Sequence, residues 1–516
     1  MPDPSARAGA AAAPARPAVF DDRSLLGHPR GLGLLFVTEM WERFSYYGMR
    51  AILVLYLVNV LGWDGPRAAS LYGTYTMAVY LTPLVGGYLA DRWIGTRNSL
   101  VIGGVVISAG HLTLAFPGMA AFYAGLALVV IGTGFFKANV STQVGQMYRP
   151  GDPRRDSAFT IFYMGINLGA FLGPLVCGGL AQSERFGWHW GFAAAGVGML
   201  LGLAVYLWGR ARYLPGIGLA LRDRPSPGAA IEPAGRAPLH GAIGAAGGVV
   251  AALAAGSATP VGVAAGLAIG AMVGITVLGT RGDERRRVIA LFVVVFFVIF
   301  FWAAYEQAGS SMNLFADKST DLSIGAFRIP SSWFQSVNPA FILAFAPVFA
   351  GLWTALAARG REPSTALKMV LGLFLLGIGF VFMAIGGRRA DGGALVSPLW
   401  LVMAYAFHTW GELCLSPVGL SFVTKIAPAR FGSLLMGAWF LGLAAANKVA
   451  GELAGLTPLP GAARPERAGG VAGFLQDVSA TNFGFFSIFV VSSFAAALLM
   501  LLFVPLLKRL TRGAAT

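Results

Sequence analysis

Four charged side chains sit inside one apolar stretch near the N-terminus, in Glu39-Met40-Trp41-Glu42-Arg43-Phe44-Ser45-Tyr46-Tyr47-Gly48-Met49-Arg50. A charge at bilayer depth costs about 2.5–3.5 kcal/mol on insertion scales, so a spanning helix that keeps four of them points to function. At roughly 100° per residue, Glu39, Arg43, Tyr46 and Arg50 fall within about 60° of one another. Glu42 lies at the edge of that stripe, while Met40, Phe44 and Tyr47 point elsewhere. The pattern predicts a helix with one polar stripe facing a cavity or a partner helix.

Few other polar groups lie within apolar runs. They are Lys137, Asn167, Glu306, Asn338, Glu412 and Lys448. The first half of the chain thus holds three cations and two carboxylates, and the second half two carboxylates and an amide near mid-span. This asymmetry suits a zwitterion laid across the two halves. Its carboxylate would meet Arg43, Arg50 or Lys137, and its ammonium Glu412 or Glu306, with Asn167 and Asn338 sharing hydrogen bonds. A dipeptide spans roughly 7 Å. The plainer reading is structural: Glu39 or Glu42 with Lys137, and Arg50 with Glu306, as salt bridges that hold a bundle together. So many costly groups are more than a stable bundle needs, and in a transporter both readings hold at once, with pairs made in one state and broken in another. Lys448 faces the pore or caps a neighbouring carbonyl. His408 and Glu412 are spaced i,i+4, but no further His or Cys completes a metal site, so no metal or other cofactor is expected. His111 reads as a packing residue. No phosphate-binding loop appears, which argues against an ATP-driven pump.

The elements that must position these groups follow from composition. Of 516 residues, 56% are hydrophobic and only 12% charged, about half the charge of a soluble protein. Mean hydropathy is +0.68. The 70 glycines fit close helix packing in lipid. The expected class is an all-α polytopic membrane protein rather than an enzyme. The net charge of +15 sits in short loops between apolar runs, so it marks loop orientation and no nucleic-acid surface. Cys177 and Cys414 are the only cysteines, and neither a disulfide framework nor a metal cluster follows from them.

Runs long enough to span lie near 31–61, 67–91, 98–117, 119–147, 156–181 and 190–211, and again near 287–310, 333–358, 365–386, 397–427, 431–455 and 479–508. The expected organisation is a disordered tail over 1–25, a six-helix bundle over 26–213, a linker with an extra helical hairpin over 214–286, a second six-helix bundle over 287–510 and a tail over 511–516. The hairpin segments, about 241–257 and 260–280, carry no charge. The tail over 1–25 has no continuous apolar run and is not read as a cleaved signal peptide. Basic loops recur on one side, at Arg92–Arg97, Arg149–Arg155, Arg210–Arg236, Arg281–Arg287, Arg359–Arg361, Lys425–Arg430 and Lys508–Arg512. The positive-inside rule then puts both termini in the cytoplasm, with 456–478 as an outer loop.

Two six-helix halves are the architecture of a major facilitator transporter, whose site lies at the midplane between them. The segment Gly86-Gly87-Tyr88-Leu89-Ala90-Asp91-Arg92-Trp93-Ile94-Gly95-Thr96-Arg97 resembles the signature loop of that superfamily, with one extra residue between the Asp and the following Gly.

A closer resemblance rests on six motifs in order. Glu39-x-x-Glu42-Arg43-Phe44-x-Tyr46-Tyr47-Gly48 resembles the first-helix signature of the proton-dependent oligopeptide transporters. The stretch from Gly132 through Lys137 to Asn139 resembles their span-four motif, with Ala138 where Pro is common. Further matches are Phe162-Tyr163 through Asn167 to Gly169, Phe301-Trp302 through Glu306-Gln307, Gln335-Ser336 through Asn338-Pro339, and Gly411-Glu412 through Ser416-Pro417. The interposed hairpin is typical of bacterial members.

The resemblance implies a proton-coupled symporter of di- and tripeptides in the bacterial inner membrane. It implies that Glu39, Glu42, Arg43, Lys137 and Glu306 form the proton-coupling network. It further implies that Arg50 and Lys137 hold the peptide carboxylate and that Glu306 pairs with Arg50 across the halves. Asn167, Asn338 and Glu412 would bind the amino end and backbone, and Tyr46, Tyr47, Tyr80, Trp302 and Trp439 would shape side-chain pockets. Mammalian relatives carry a functional His in span two; this chain has none there, which leaves the proton to carboxylates. The competing expectation is the same fold carrying another small anion or a peptidomimetic. A receptor or an enzyme would need a soluble domain or a water-facing catalytic dyad, and neither is visible. The partners expected are peptide, protons and the lipid bilayer.

Overall fold

In lipid every backbone polar group must be satisfied internally, so these apolar runs have helices as their outlet. A computed structural model describes residues 19–149, 151–219, 237–254, 260–428, 431–459 and 469–511. The N-terminal half comprises α1 (Arg30–Asn59), α2 (Gly65–Leu89), α3 (Thr96–Leu114), α4 (Met119–Gln146), α5 (Arg154–Ala181) and α6 (Trp188–Tyr213). The interposed hairpin is α7 (Ala237–Ala254) and α8 (Pro260–Val273), the latter extended by a π-helical turn over Gly274–Leu278. The C-terminal half comprises α9 (Gly282–Tyr305), α10 (Ser311–Ser319), α11 (Val337–Ala358), α12 (Thr365–Ala390), α13 (Leu399–Ile426), α14 (Gly432–Ala454), α15 (Gly470–Val478) and α16 (Asn482–Leu510). The architecture is two six-helix bundles plus a two-helix hairpin. Among the described residues, eight helices are long and apolar enough to cross a membrane. Helix α1 is not one of them, and its sequence says why: Glu39, Glu42, Arg43 and Arg50 occupy its middle.

Hydroxyls inside the helices are satisfied by carbonyls one turn back. Thr38 donates to Leu34 O at 2.8 Å and Ser108 to Gly104 O at 2.8 Å. These bonds let small polar residues sit in lipid-facing bundles at little cost. Helices approach where glycines remove the side chain. A β-carbon on Gly86 of α2 would collide with the carbonyl of Gly134 on α4. Thr82 fastens the same crossing by donating to Val130 O at 2.9 Å. The hairpin is built likewise, with Gly244 and Gly248 of α7 lying against Gly270 and Gly266 of α8.

Two departures from the sequence expectation concern ends. The tail over 1–25 was expected to be disordered, yet Val19–Asp21 form a 3-10 turn and Val19 is buried. Residues 1–18 lie outside the described residues. The guanidinium of Arg154 supplies the reason, because it donates to Phe20 O at 2.9 Å and to Gly27 O at 3.2 Å while pairing with Asp152 at 2.7 Å. His28 adds a bond between Nδ1 and Tyr148 OH at 2.9 Å. These partners, all far along the chain, hold a stretch of low hydrophobicity in place. The second departure is α15, a helix inside the segment 456–478 expected as a loop. Of the linker, residues 214–219 are described and pinned, with Arg97 N bonded to Gly218 O at 2.9 Å. Residues 220–236 lie outside the described residues.

The two halves meet along a seam, and hydrogen bonds gather toward its end holding the α1–α2 and α5–α6 loops. There Ser332 Oγ donates to Gln182 Oε1 at 2.7 Å, Trp333 Nε1 to Leu175 O at 2.9 Å, and Ser336 Oγ to Phe171 O at 2.7 Å. Asn313 Nδ2 donates to Ala51 O at 2.8 Å. Gly73 of α2 packs backbone to backbone on Gly451 of α14. Lys448, left open between pore and carbonyl, bonds Thr74 Oγ1 across this seam at 3.0 Å and Glu452 at 2.6 Å.

Candidate functional site

The polar stripe of α1 lies at the centre of the N-terminal half, facing the seam. Arg43 Nε donates to Glu39 Oε1 at 2.7 Å, and Glu42 Oε2 lies 2.7 Å from the same nitrogen without hydrogen-bond alignment. All three are buried. The i,i+4 step brings Glu39 beneath Arg43, and the neighbouring position brings Glu42 to its side. Each carboxylate keeps one oxygen without a hydrogen-bond partner, and so does Arg43 Nη2. The two carboxylate oxygens have spare capacity for a proton or a water, and the guanidinium nitrogen can donate to a water or an anion.

The salt bridge considered between Glu39 or Glu42 and Lys137 is not what the structure shows. Arg43 takes both carboxylates, being one helical turn from Glu39 and next to Glu42 on the same helix. Lys137 on α4 places its ammonium 3.8 Å from the centre of the Tyr80 ring on α2.

The second pair is formed. Arg50 Nη2 binds Glu306 Oε2 across the seam, with both side chains about 6% exposed. Glu306 reaches this place because α9 ends at Tyr305 and a 3-10 turn over Glu306–Gly309 breaks the span. Tyr72 accepts from Arg50 Nε at 2.5 Å. The guanidinium also lies 5.9 Å from the Tyr47 ring and 5.7 Å from the Tyr72 ring. Tyr47, expected to point away from the stripe, therefore flanks it; a long ring on an adjacent position reaches where its Cβ direction does not.

The third cluster surrounds Glu412 on α13. Tyr305 OH donates to Oε2 at 2.5 Å, Asn338 Nδ2 to Oε2 at 3.1 Å and Tyr163 OH to Oε1 at 3.4 Å. Asn338 also donates to Thr409 Oγ1 at 2.9 Å. Glu412 is buried with neutral donors and without a cation among the described residues. Tyr163 comes from α5, so this carboxylate too is reached from both halves.

The remaining expected residues divide. Asn167 donates to Tyr163 O at 2.9 Å, one turn back on its own helix. Tyr46 is buried with its ring 5.1 Å from that of Tyr47 and 5.8 Å from the Arg43 guanidinium. Trp302 packs edge-on against Tyr305 at 5.0 Å. Trp439 is buried in the C-terminal core. His408 lies against Phe380 at 4.5 Å, and no cluster of three potential metal ligands occurs among the described residues. Tyr72, Tyr163, Tyr305 and Thr409 belong to the site and were not singled out in the sequence. Tyr163 and Tyr305 stood beside Asn167 and Glu306 in the motifs, which was the available signal. Tyr72 had none, being one more aromatic in an apolar span.

A family model described as the POT family matches residues 97–215 and 263–463. The uncharacterized transporter YclF of Bacillus subtilis is 43% identical over 451 residues, covering 84% of this chain and 89% of its own length. The di-/tripeptide transporter of Lactococcus lactis subsp. cremoris is 36% identical, covering 81% of this chain and 88% of its own. A crystal structure of a mutant peptide transporter POT in complex with alafosfalin matches with a TM-score of 0.77 at 38% identity, covering 96% of this chain and 98% of that one.

Proposed function

The chain belongs to the POT family, and on that premise we propose that it imports di- and tripeptides across the bacterial inner membrane as a proton-coupled symporter working by alternating access. The observation that carries this is the division of charge across the seam. Arg43, Arg50 and Lys137 stand on the N-terminal side, where Glu39 and Glu42 are paired with Arg43, and Glu306 and Glu412 stand on the other. A dipeptide zwitterion is complementary to that division. Its carboxylate goes to Arg50 and Lys137, and its ammonium to Glu412 with Asn338 and Asn167. Tyr46, Tyr47, Tyr80, Trp302 and Trp439 border the side chains. In this reading both termini face the cytoplasm, the fastened end of the seam is the outer end, and the site opens inward.

Coupling follows from the pairing. A cation beside a carboxylate favours its ionised form. A peptide carboxylate that recruits Arg50 or Lys137 withdraws that support and favours proton uptake at Glu39, Glu42 or Glu306. By linkage, the proton then favours the peptide equally. A membrane potential adds about 2.3 kcal/mol per charge per 100 mV.

The test is uptake of labelled dialanine into proteoliposomes with an imposed inward proton gradient. Accumulation that collapses with a protonophore, and that di- and tripeptides but not free amino acids or inorganic anions compete away, is the expected result. Gradient-independent equilibration would overturn coupling, and competition by anions alone would overturn the substrate class.

A further inference from the structure

Among the three cations of the site, Lys137 differs from Arg43 and Arg50. Among the described residues it has no ion pair, whereas each arginine has a buried carboxylate. What it has is a ring. Its ammonium lies 3.8 Å from the Tyr80 centroid, while the arginines sit 5.7–5.9 Å from Tyr46, Tyr47 and Tyr72. An ammonium out of water must find some partner, and a ring face attracts it without neutralising it.

The seat is held by the helices. Tyr80 lies two residues before Thr82, which ties α2 to Val130 O of α4. Lys137 lies three residues after Gly134, where α4 meets Gly86 and Thr82 of α2. Both anchor points are in backbone contact, so the two Cα positions are locked together. The lysine stem is long and flexible and the tyrosine ring is not, so the ammonium is the part that moves. Its nearest alternative is on another helix: the charged groups that act on it are Arg43, Glu39 and Glu42 of α1 and Glu306 after α9.

We propose that Tyr80 is a positioning residue whose ring face seats Lys137 and keeps it off the Glu39 and Glu42 carboxylates until a ligand carboxylate takes it. The proposal rests on the peptide reading above for the ligand's identity, though not for the seat itself. Without the ring the ammonium falls to the carboxylates of α1 and becomes unavailable to the peptide. The edge of the ring, with its hydroxyl, is not what holds it; the face is.

Two measurements test this. In dialanine exchange at equal pH on both sides, Tyr80→Leu should raise the half-saturation concentration about tenfold. Tyr80→Phe, which keeps the face, should recover most of that loss. Adding Glu39→Gln and Glu42→Gln to Tyr80→Leu should recover part of it as well, because the competing carboxylates are gone. A Tyr80→Phe defect as large as that of Tyr80→Leu, or a Tyr80→Leu defect indifferent to the two carboxylates, would overturn the proposal. The second measurement needs no ligand: melting temperatures of Tyr80→Leu, Lys137→Met and the double variant in detergent. The double variant should melt well above the sum of the two single shifts, since both remove one contact. Strict additivity would overturn the seat. If the native protein exchanges no dialanine, the peptide reading fails while the melting cycle still decides the seat.

Discussion

Two buried ion sites lie two turns apart on α1, and they are built on different principles. Glu39, Glu42 and Arg43 pair with one another within a single helix. Arg50 depends on Glu306 from the other half. When the halves move as rigid bodies, the first site travels intact and the second must part. The first can therefore change protonation without rearranging the bundle. The second cannot open without leaving a buried charge unpaired, which costs about 3–5 kcal/mol unless something replaces the partner. A peptide with charged ends is such a replacement. In the proposed function the first group stores the proton and the second senses the cargo, although both start from the same helix.

The largest effect should come from preventing the seam from parting. A β-carbon at Gly178 would lie 3.0 Å from that of Ser332, close to the span of a disulfide. Gly178→Cys with Ser332→Cys, once oxidised, should abolish both uptake and exchange, and reduction should restore them. Uptake that survives oxidation would mean that this end of the seam does not open, and the contrast between the two sites would lose its basis.

Next is the site within the helix. Glu39→Gln or Glu42→Gln should bring gradient-driven dialanine uptake down to the level seen without a gradient while exchange continues. A variant that still concentrates peptide removes that residue from the coupling role.

The seam site and Glu412 should show a smaller and more selective change. Glu412→Gln keeps shape and hydrogen bonding but deletes the charge. It should lower the preference for free over N-acetylated dipeptides about tenfold, the size of one hydrogen bond to a charged group. Arg50→Lys keeps the charge but loses the planar fork, and should do the same for free over C-amidated peptides. Competition of labelled dialanine uptake by the two capped series reads both. Equal losses for capped and uncapped peptides would make these residues bundle salt bridges only.

The smallest effect is expected far from either site. The α7–α8 hairpin packs mainly on itself through its glycines and carries no charged residue. Removing it from a protein that still folds should move the half-saturation concentration by about twofold at most, as for changes away from functional contacts. A larger loss would tie the hairpin to the moving seam.

Much of this was legible along the chain. Long apolar runs can only be helices in a bilayer, so an all-α polytopic fold followed from length and composition. Charges inside those runs are costly, so Glu39, Glu42, Arg43, Arg50, Lys137, Glu306 and Glu412 stood out as candidates without any fold. Who pairs with whom was another matter. Arg43 could have left the carboxylates to Lys137, and helical spacing allowed either arrangement. Lys137 lies instead over the Tyr80 ring, near the Gly86–Gly134 crossing of α2 with α4, a placement that no spacing along the chain reveals. The tyrosines that fill the donor shells of Glu412 and Arg50 were hidden for the same reason, since an aromatic in an apolar span looks like packing until its hydroxyl is seen to meet a carboxylate or a guanidinium. The folded strap over 19–29 was hidden too, because its partners are carbonyl-seeking groups of Arg154, more than a hundred residues away. Sequence determined which groups are expensive enough to need a purpose, because the cost of a charge in lipid is local. Tertiary structure decided which of them meet, because a buried ion pair depends on distance across helices that share no sequence proximity.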